Sequence, residues 1–132
     1  MWVSLTMVNR DHFPFDFCRI FNRSINPKVR HILIYIDQYY STKKIVLNDL
    51  ASLVNIHPDY LSRIFRKETG VRLHDYLLLK RIQMSVTLLR DPKKSIKKIS
   101  NEVGFSCPEV HSKVFKRLTH CSPKTYRTRT FS

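Results

Sequence analysis

The feature that most constrains this 132-residue chain is an internal repeat. The segment from Leu50 reads LASLVNIHPDYLSRIFRK, and the segment from Ile99 reads ISNEVGFSCPEVHSKVFKR. Leu50 pairs with Ile99, Val54 with Val103, Asn55 with Gly104 and Ile56 with Phe105. After one extra residue in the second copy, Pro58 pairs with Pro108, Ser62 with Ser112, Arg63 with Lys113, Phe65 with Phe115 and Arg66 with Lys116. A short helix, a tight turn and a second helix of this size form the helix-turn-helix layout. Two generic helical hairpins would need to share only their apolar positions. Here the basic positions recur as well, so the outward face is specified twice.

The rest of the chain is read around those two units. Asn26-Pro27 is a helix start, with an amide cap and proline at the first helical position. Val29, Ile32, Leu33, Ile36 and Tyr40 then mark one apolar face at helical spacing. The first unit supplies a short helix carrying Leu47, Leu50, Ala51 and Val54, and a second that starts at His57-Pro58 and stops near Gly70. A long helix over roughly 73–90, with Leu73, Tyr76, Leu77, Ile82, Leu88 and Leu89, closes at Asp91-Pro92. Ser95 caps a fifth helix with Ile96, Ile99 and Val103. A sixth runs from Cys107-Pro108 to about Leu118, and Ser122-Pro123 opens a last helical turn. Strand-type alternation is nearly absent. The expected fold is all-α, about seven helices, with two helix-turn-helix subdomains (26–72 and 92–132) joined by a linker helix (73–91). Residues 1–25, aromatic-rich at Trp2, Phe13, Phe15, Phe17 and Phe21, are expected to be an arm or the remnant of a preceding domain.

Helical geometry divides the second helix of each unit into two faces. At 100° per residue Leu61, Ile64 and Phe65 share one side, and Asp59, Ser62, Arg63 and Arg66 the other. In the second copy Val114, Phe115 and Leu118 face inward, while Glu109, Ser112, Lys113 and Lys116 face out. Each helix thus carries short polar side chains near its N-terminus and basic ones further along. Such an end suits a major groove, where Arg or Lys reaches guanine O6/N7, Ser bonds either base type, and Asp or Glu accepts from cytosine N4.

Charge points to the same class of partner. Lys and Arg number 24 against 10 Asp and Glu, a formal net charge of +14, and after residue 25 there are 21 basic residues against 8 acidic. Such an excess repels itself and is tolerated where a polyanion binds. A hydrophobic content of 42% supports a modest core. The apolar run Ile32–Ile36 is too short to span a bilayer, so no membrane partner is expected. Three cysteines without a framework pattern (Cys18, Cys107, Cys121) fit a reducing compartment, no signal-peptide pattern is visible, and the cytoplasm is the expected location.

At this point the sequence resembles the DNA-binding domain of the AraC/XylS-type bacterial transcription regulators. The resemblance covers residues 26–128. It is carried by LASLVNIHPDYLSRIFRKETG, by DYLLLKRIQMSVTLL and by SIKKISNEVGFSCPEVHSKVFKRLTHCSPKTYR, with Gly104-Phe105-Ser106, Phe115-Lys116 and Ser122-Pro123…Tyr126-Arg127 in place. The resemblance implies recognition helices over about 58–68 and 108–118 that enter successive major-groove segments about one helical turn (~34 Å) apart, often with bending of the DNA. It implies base reading by Asp59, Ser62 and Arg63 from the first helix and by Glu109, Ser112 and Lys113 from the second, phosphate contacts by Arg66 and Lys116, and a structural role for Arg81. The partner is double-stranded promoter or operator DNA. RNA polymerase is a candidate second partner. Two roles stay open, an autonomous regulator or the DNA-reading part of a larger, ligand-responsive protein; the aromatic 1–25 segment favours the second, with a sensor or dimerisation domain then outside this chain.

Five positions depart from the family pattern. Val110-His111 replaces an aromatic pair, and places an imidazole on the inward side of the sixth helix, where it is expected to loosen the second unit. His120 stands where a terminating glycine is common. His57 and Arg72 replace the usual Ser or Thr caps, each at an expected cost of about 1 kcal/mol. Other functions fit less well. Cys107, His111, His120 and Cys121 have the spacing C-x3-H-x8-H-C, outside the usual zinc patterns. No nucleophilic triad, HExxH, phosphate-binding glycine loop or paired-carboxylate motif is present, so neither cofactor nor catalysis is expected. A basic nucleic-acid binder without sequence readout is the alternative that charge alone would permit.

Overall fold

In the computed structural model residues 24–42 and 44–131 are described; these form seven α-helices and no strand. The expected aromatic arm lies, for residues 1–23, outside the described residues. Helix α1 spans Pro27–Tyr39, α2 Leu47–Leu53, α3 Pro58–Thr69, α4 Leu73–Leu88, α5 Ile96–Glu102, α6 Pro108–Thr119 and α7 Pro123–Phe131. The fold is all-α, with α2–α3 and α5–α6 as two helix-turn-helix units on either side of α4.

Local chemistry accounts for most of the boundaries. The Asn26 side chain accepts from the Lys28 amide at 2.8 Å, and Pro27 takes the first helical position of α1. Ser95 caps α5 through the Lys98 amide at 3.0 Å. His57 is not a lost cap as expected. Its Nδ1 accepts from the Asp59 amide at 3.1 Å, doing the work of a serine oxygen. Arg72 makes no side-chain cap bond, in line with expectation. Helix α4 stops at Leu88, two residues short of the expected end, because the Arg90 amide turns back to Thr87 O.

Among the described residues four take a left-handed backbone, and they form two matched pairs. Asn55 (φ 56°) and Gly104 (φ 101°) sit in the two helix-turn-helix turns, while Gly70 (φ 83°) and His120 (φ 68°) end α3 and α6. Each pair holds one glycine and one residue with a side chain, so the turn geometry survives where the permissive residue has been lost.

The repeat runs further than the sequence matches suggested. Thr69 Oγ1 bonds Phe65 O at 2.7 Å, and Thr119 Oγ1 bonds Phe115 O at 2.8 Å. Phe65 stacks edge-on against Tyr76 of α4 at 5.6 Å, and Phe115 against Tyr126 of α7 at 5.4 Å. Each unit is therefore closed by a tyrosine on the helix that follows it. Helix α4 has a second duty, since its later half supports α6. It buries residues on every side, among them the polar Lys80, Arg81, Gln83 and Ser85, which an apolar-stripe reading of 73–90 could not place inside.

Arg81 is structural, and its partners show how. Its Nε donates to Tyr40 O at 2.8 Å, a carbonyl left open at the end of α1, and its Nη2 to Thr42 O at 2.6 Å in the turn beyond. The guanidinium also lies 5.7 Å from the Phe105 ring of the second unit. Gly104 abuts the same group: a Cβ there would lie 2.9 Å from Tyr40 O, 3.0 Å from Ser41 O and 3.1 Å from Arg81 Nε. Arg127 plays a similar part at the end of α4, donating to Leu89 O at 3.0 Å and Lys94 O at 2.7 Å.

The two glycines should therefore respond differently to alanine. A Cβ at Gly70 would meet nothing within 4 Å, so Gly70→Ala should cost only the left-handed backbone term, about 1–2 kcal/mol. Gly104→Ala adds a collision with backbone oxygens and should cost at least about 3 kcal/mol. Urea unfolding of both variants measures the difference; equal losses would show that the contact at Gly104 relaxes freely.

Candidate nucleic-acid interface

The outward faces of α3 and α6 are built on matching burial patterns. From 61 to 67 and from 111 to 117 the order is the same: buried, half-buried, exposed, half-buried, buried, then two exposed. The inner positions are Leu61 and Phe65 in α3, and His111 and Phe115 in α6. With those anchors fixed, helical spacing turns the expected residues outward. Asp59, Arg63 and Arg66 are exposed and Ser62 is half-buried. Glu109, Lys113 and Lys116 are exposed and Ser112 is half-buried. All eight thus lie on two solvent-facing stripes, one for each unit.

The electrostatics of the two helices also match. Asp59 and Glu109 lie in the first turns, and Arg66-Lys67 and Lys116-Arg117 in the last, so both helices have charges that suit their macrodipoles. The contact between His57 Nδ1 and Asp59 Oδ2 spans 3.8 Å with both side chains largely exposed, and leaves Asp59 free to meet a partner. In the sequence Tyr60 is not singled out, and Val110 stands out only as a departure from the family pattern. They stand third in α3 and α6, and are 43% and 44% exposed despite their apolar bulk. Tyr60 holds the Arg63 guanidinium 5.7 Å from its ring centre. Their signal was the repeat itself, since they occupy the same offset after Pro58 and Pro108.

His111 takes the core position that Leu61 holds in the first unit. The imidazole is fully buried, with its ring 5.1 Å from Phe105 and 5.8 Å from Phe115. Nε2 lies 2.8 Å from Ser85 Oγ of α4, while Nδ1 is buried without a hydrogen-bond partner. Desolvation lowers its pKa to about 4, so it is neutral at physiological pH. Among the described residues no three His, Cys, Asp or Glu side chains gather into a group that could hold a metal ion. Nor is any helix among them long and apolar enough to cross a membrane.

Two helix-turn-helix units with outward basic stripes, joined by a shared helix, define a two-headed nucleic-acid-binding domain. A family model described as a helix-turn-helix domain matches residues 50–129. The Msm operon regulatory protein of Streptococcus mutans is 36% identical over 117 residues, covering 89% of this chain and 42% of its own length. The C-terminal domain of AraT, a response regulator from Geobacillus stearothermophilus, superposes with a TM-score of 0.80 at 28% identity, covering 83% of this chain and 91% of that one. The DNA-binding domain of AdpA, solved in complex with a target DNA, shares the fold at a TM-score of 0.74 and 20% identity, over 79% of this chain and 93% of its own. The chain belongs to the AraC-type helix-turn-helix family of transcription regulators. It spans about two fifths of the length of the Msm operon regulatory protein and of other curated relatives that it matches.

The buried histidine gives the second unit a pH dependence. In the unfolded chain His111 should protonate near its ordinary 6.5, but in the fold only near 4. The stability due to its neutral form is therefore complete above about pH 6.5 and falls as the pH drops toward 4. The full span is worth about 3 kcal/mol. His111→Leu, which installs the Leu61 solution, should flatten that part of the stability–pH curve in urea titrations. A variant that keeps the wild-type slope would assign the effect elsewhere.

Proposed function

We propose that this chain reads double-stranded DNA in a sequence-specific way as the DNA-binding part of a bacterial transcription regulator, with α3 and α6 placed in successive major-groove segments. The observation that carries this reading is the duplicated outward stripe: two helices of equal length, each offering an acidic, a small polar and two basic side chains in the same order. Asp59, Ser62 and Arg63 read one block of bases, and Glu109, Ser112 and Lys113 the other. Arg66 and Lys116, one turn further on, meet phosphates and set the register. Tyr60 and Val110 add apolar surface suited to thymine methyl groups. Residues 26–72 and 92–132 act as two heads on the linker helix. The chain works by binding rather than by catalysis, in the cytoplasm. Signal sensing and dimerisation belong to segments outside residues 26–132, and RNA polymerase is the partner once the DNA is engaged.

A non-specific basic binder would share the charge excess, but charge alone does not require the same residue types at the same offsets in both helices. Selection from a random duplex pool, followed by titration over a range of salt, separates the two readings. The expected motif is asymmetric, with two blocks about one helical turn apart. Arg63→Ala should relax one block and Lys113→Ala the other, at about 1–3 kcal/mol each. Arg66→Ala and Lys116→Ala should weaken all sequences alike and reduce the salt slope by about one each. Steep salt dependence with no enriched motif would leave only the generic binder.

A further inference from the structure

A hollow of about 610 Å³ opens beside the first recognition helix, between α3, the segment leading into α2 and the head of α4. Ile36, Leu47, Leu50, Leu73 and Leu77 give it apolar walls. Its rim is cationic, with Arg63 and Arg66 from α3 and Arg72 just ahead of α4. No carboxylate lines it, and none of the three arginines forms an ion pair with a described residue. Volume and lining are those of a small-molecule site, in which apolar walls supply affinity and a few charged groups fix orientation. A DNA backbone can satisfy the arginines but offers nothing to the leucine walls. A ligand that fits both has an apolar body and an anionic head, and a planar carboxylate is a head that a guanidinium fork matches bidentately without the bulk and second charge of a phosphate.

We propose that this hollow binds an apolar monocarboxylate, seated on the leucine walls with its head at Arg72 and Arg63, and that the bound molecule competes with DNA. The competition arises because Arg63 and Arg66 serve both the hollow and the outward stripe of α3. This second half of the proposal rests on the DNA-reading role assigned to that stripe, whereas the binding site itself does not. Arg72 distinguishes the two functions. It is exposed, makes no side-chain cap bond and lies outside the outward stripe of α3, so it can be changed without touching the proposed base contacts.

The test uses the full chain with naphthalene-2-carboxylate as probe and naphthalene-2-carboxamide as its uncharged control, followed by methyl NMR. Shifts should be confined to the leucines, isoleucines and valine that line the hollow. The carboxylate should bind roughly fivefold or more tightly than the amide, as a charge-assisted contact requires. Arg72→Gln should abolish that preference, and Leu47→Trp, which fills the hollow from a half-buried position, should abolish binding. In parallel, the carboxylate should raise the apparent Kd for a labelled duplex with the wild-type chain but not with Leu47→Trp. Shifts elsewhere, equal binding of the amide, or an Arg72→Gln variant that behaves as wild type would overturn the site. So would hollow methyls whose signals depend on protein concentration without any probe, since a second copy would then be the occupant. Binding in the hollow with an unchanged duplex Kd would overturn the competition. Failure of the chain to bind any duplex would overturn the DNA reading instead, and the NMR titration would still decide the site.

Discussion

The whole arrangement depends on the joint at Arg81. An α-helix ends with carbonyls that have no partner within the helix. Here the carbonyl of Tyr40, the residue that caps α1, and that of Thr42 in the turn beyond it are satisfied by a side chain from α4. The same guanidinium lies against Phe105, and Gly104 fits against the same segment with no room for a Cβ. One planar cation thus fastens the end of α1, the middle of α4 and the turn of the second helix-turn-helix unit. For two reading heads this matters, since their spacing on a duplex is set by how α3 and α6 are phased. A flexible hinge would spend binding energy on ordering that phase, whereas a packed joint has fixed it beforehand.

Around that joint α4 forms a core that is partly polar. Lys80, almost wholly buried, pairs with Asp37 of α1 at 2.6 Å, and burial lowers its pKa while Asp37 opposes the shift. A pair of this kind adds little net stability over an apolar substitute, but losing one partner would strand the other in a medium of low dielectric. Its effect is on which face of α4 meets α1. Ser85 does the same for α6 through His111. The helix therefore reads α1 and α3 along one part of its surface and α6 along another, and polar contacts at defined points hold both registers. An apolar stripe alone would allow sliding.

The two units solve one design with different residues. The first has leucine in the core of its recognition helix, glycine at the helix end and asparagine in the turn. The second has histidine, histidine and glycine at those places. The exchange is tolerated because the constraint is geometric: a buried group of suitable size at one point, a left-handed backbone at two. The second unit carries an orphaned imidazole nitrogen as a result, and a non-glycine left-handed residue at its helix end. The outward stripes keep their order despite this, since the inner positions still set the rotation of the helix.

Much of this was legible in the sequence, for reasons that are local. Helix starts at Asn26, Pro58 and Ser95, the stop at Gly70 and the outward facing of Asp59, Arg63, Glu109 and Lys113 follow from capping chemistry and the 3.6-residue period, which act within a turn or two of chain. The duplication then raised a pattern to an architecture, because the same set of local rules appeared twice at the same offsets. Tertiary structure alone decided what depends on distant partners. His57 caps α3 through a rotamer that residue type did not suggest. Lys80, Arg81, Gln83 and Ser85 enter the core because α4 is surrounded, and His111 is fully enclosed because Phe105, Phe115 and Ser85 converge on it. Helical periodicity reports which residues share a face, but a helix packed on all sides has no outer face to report. Contacts made across about forty residues of chain, such as those of Arg81, leave no trace in spacing.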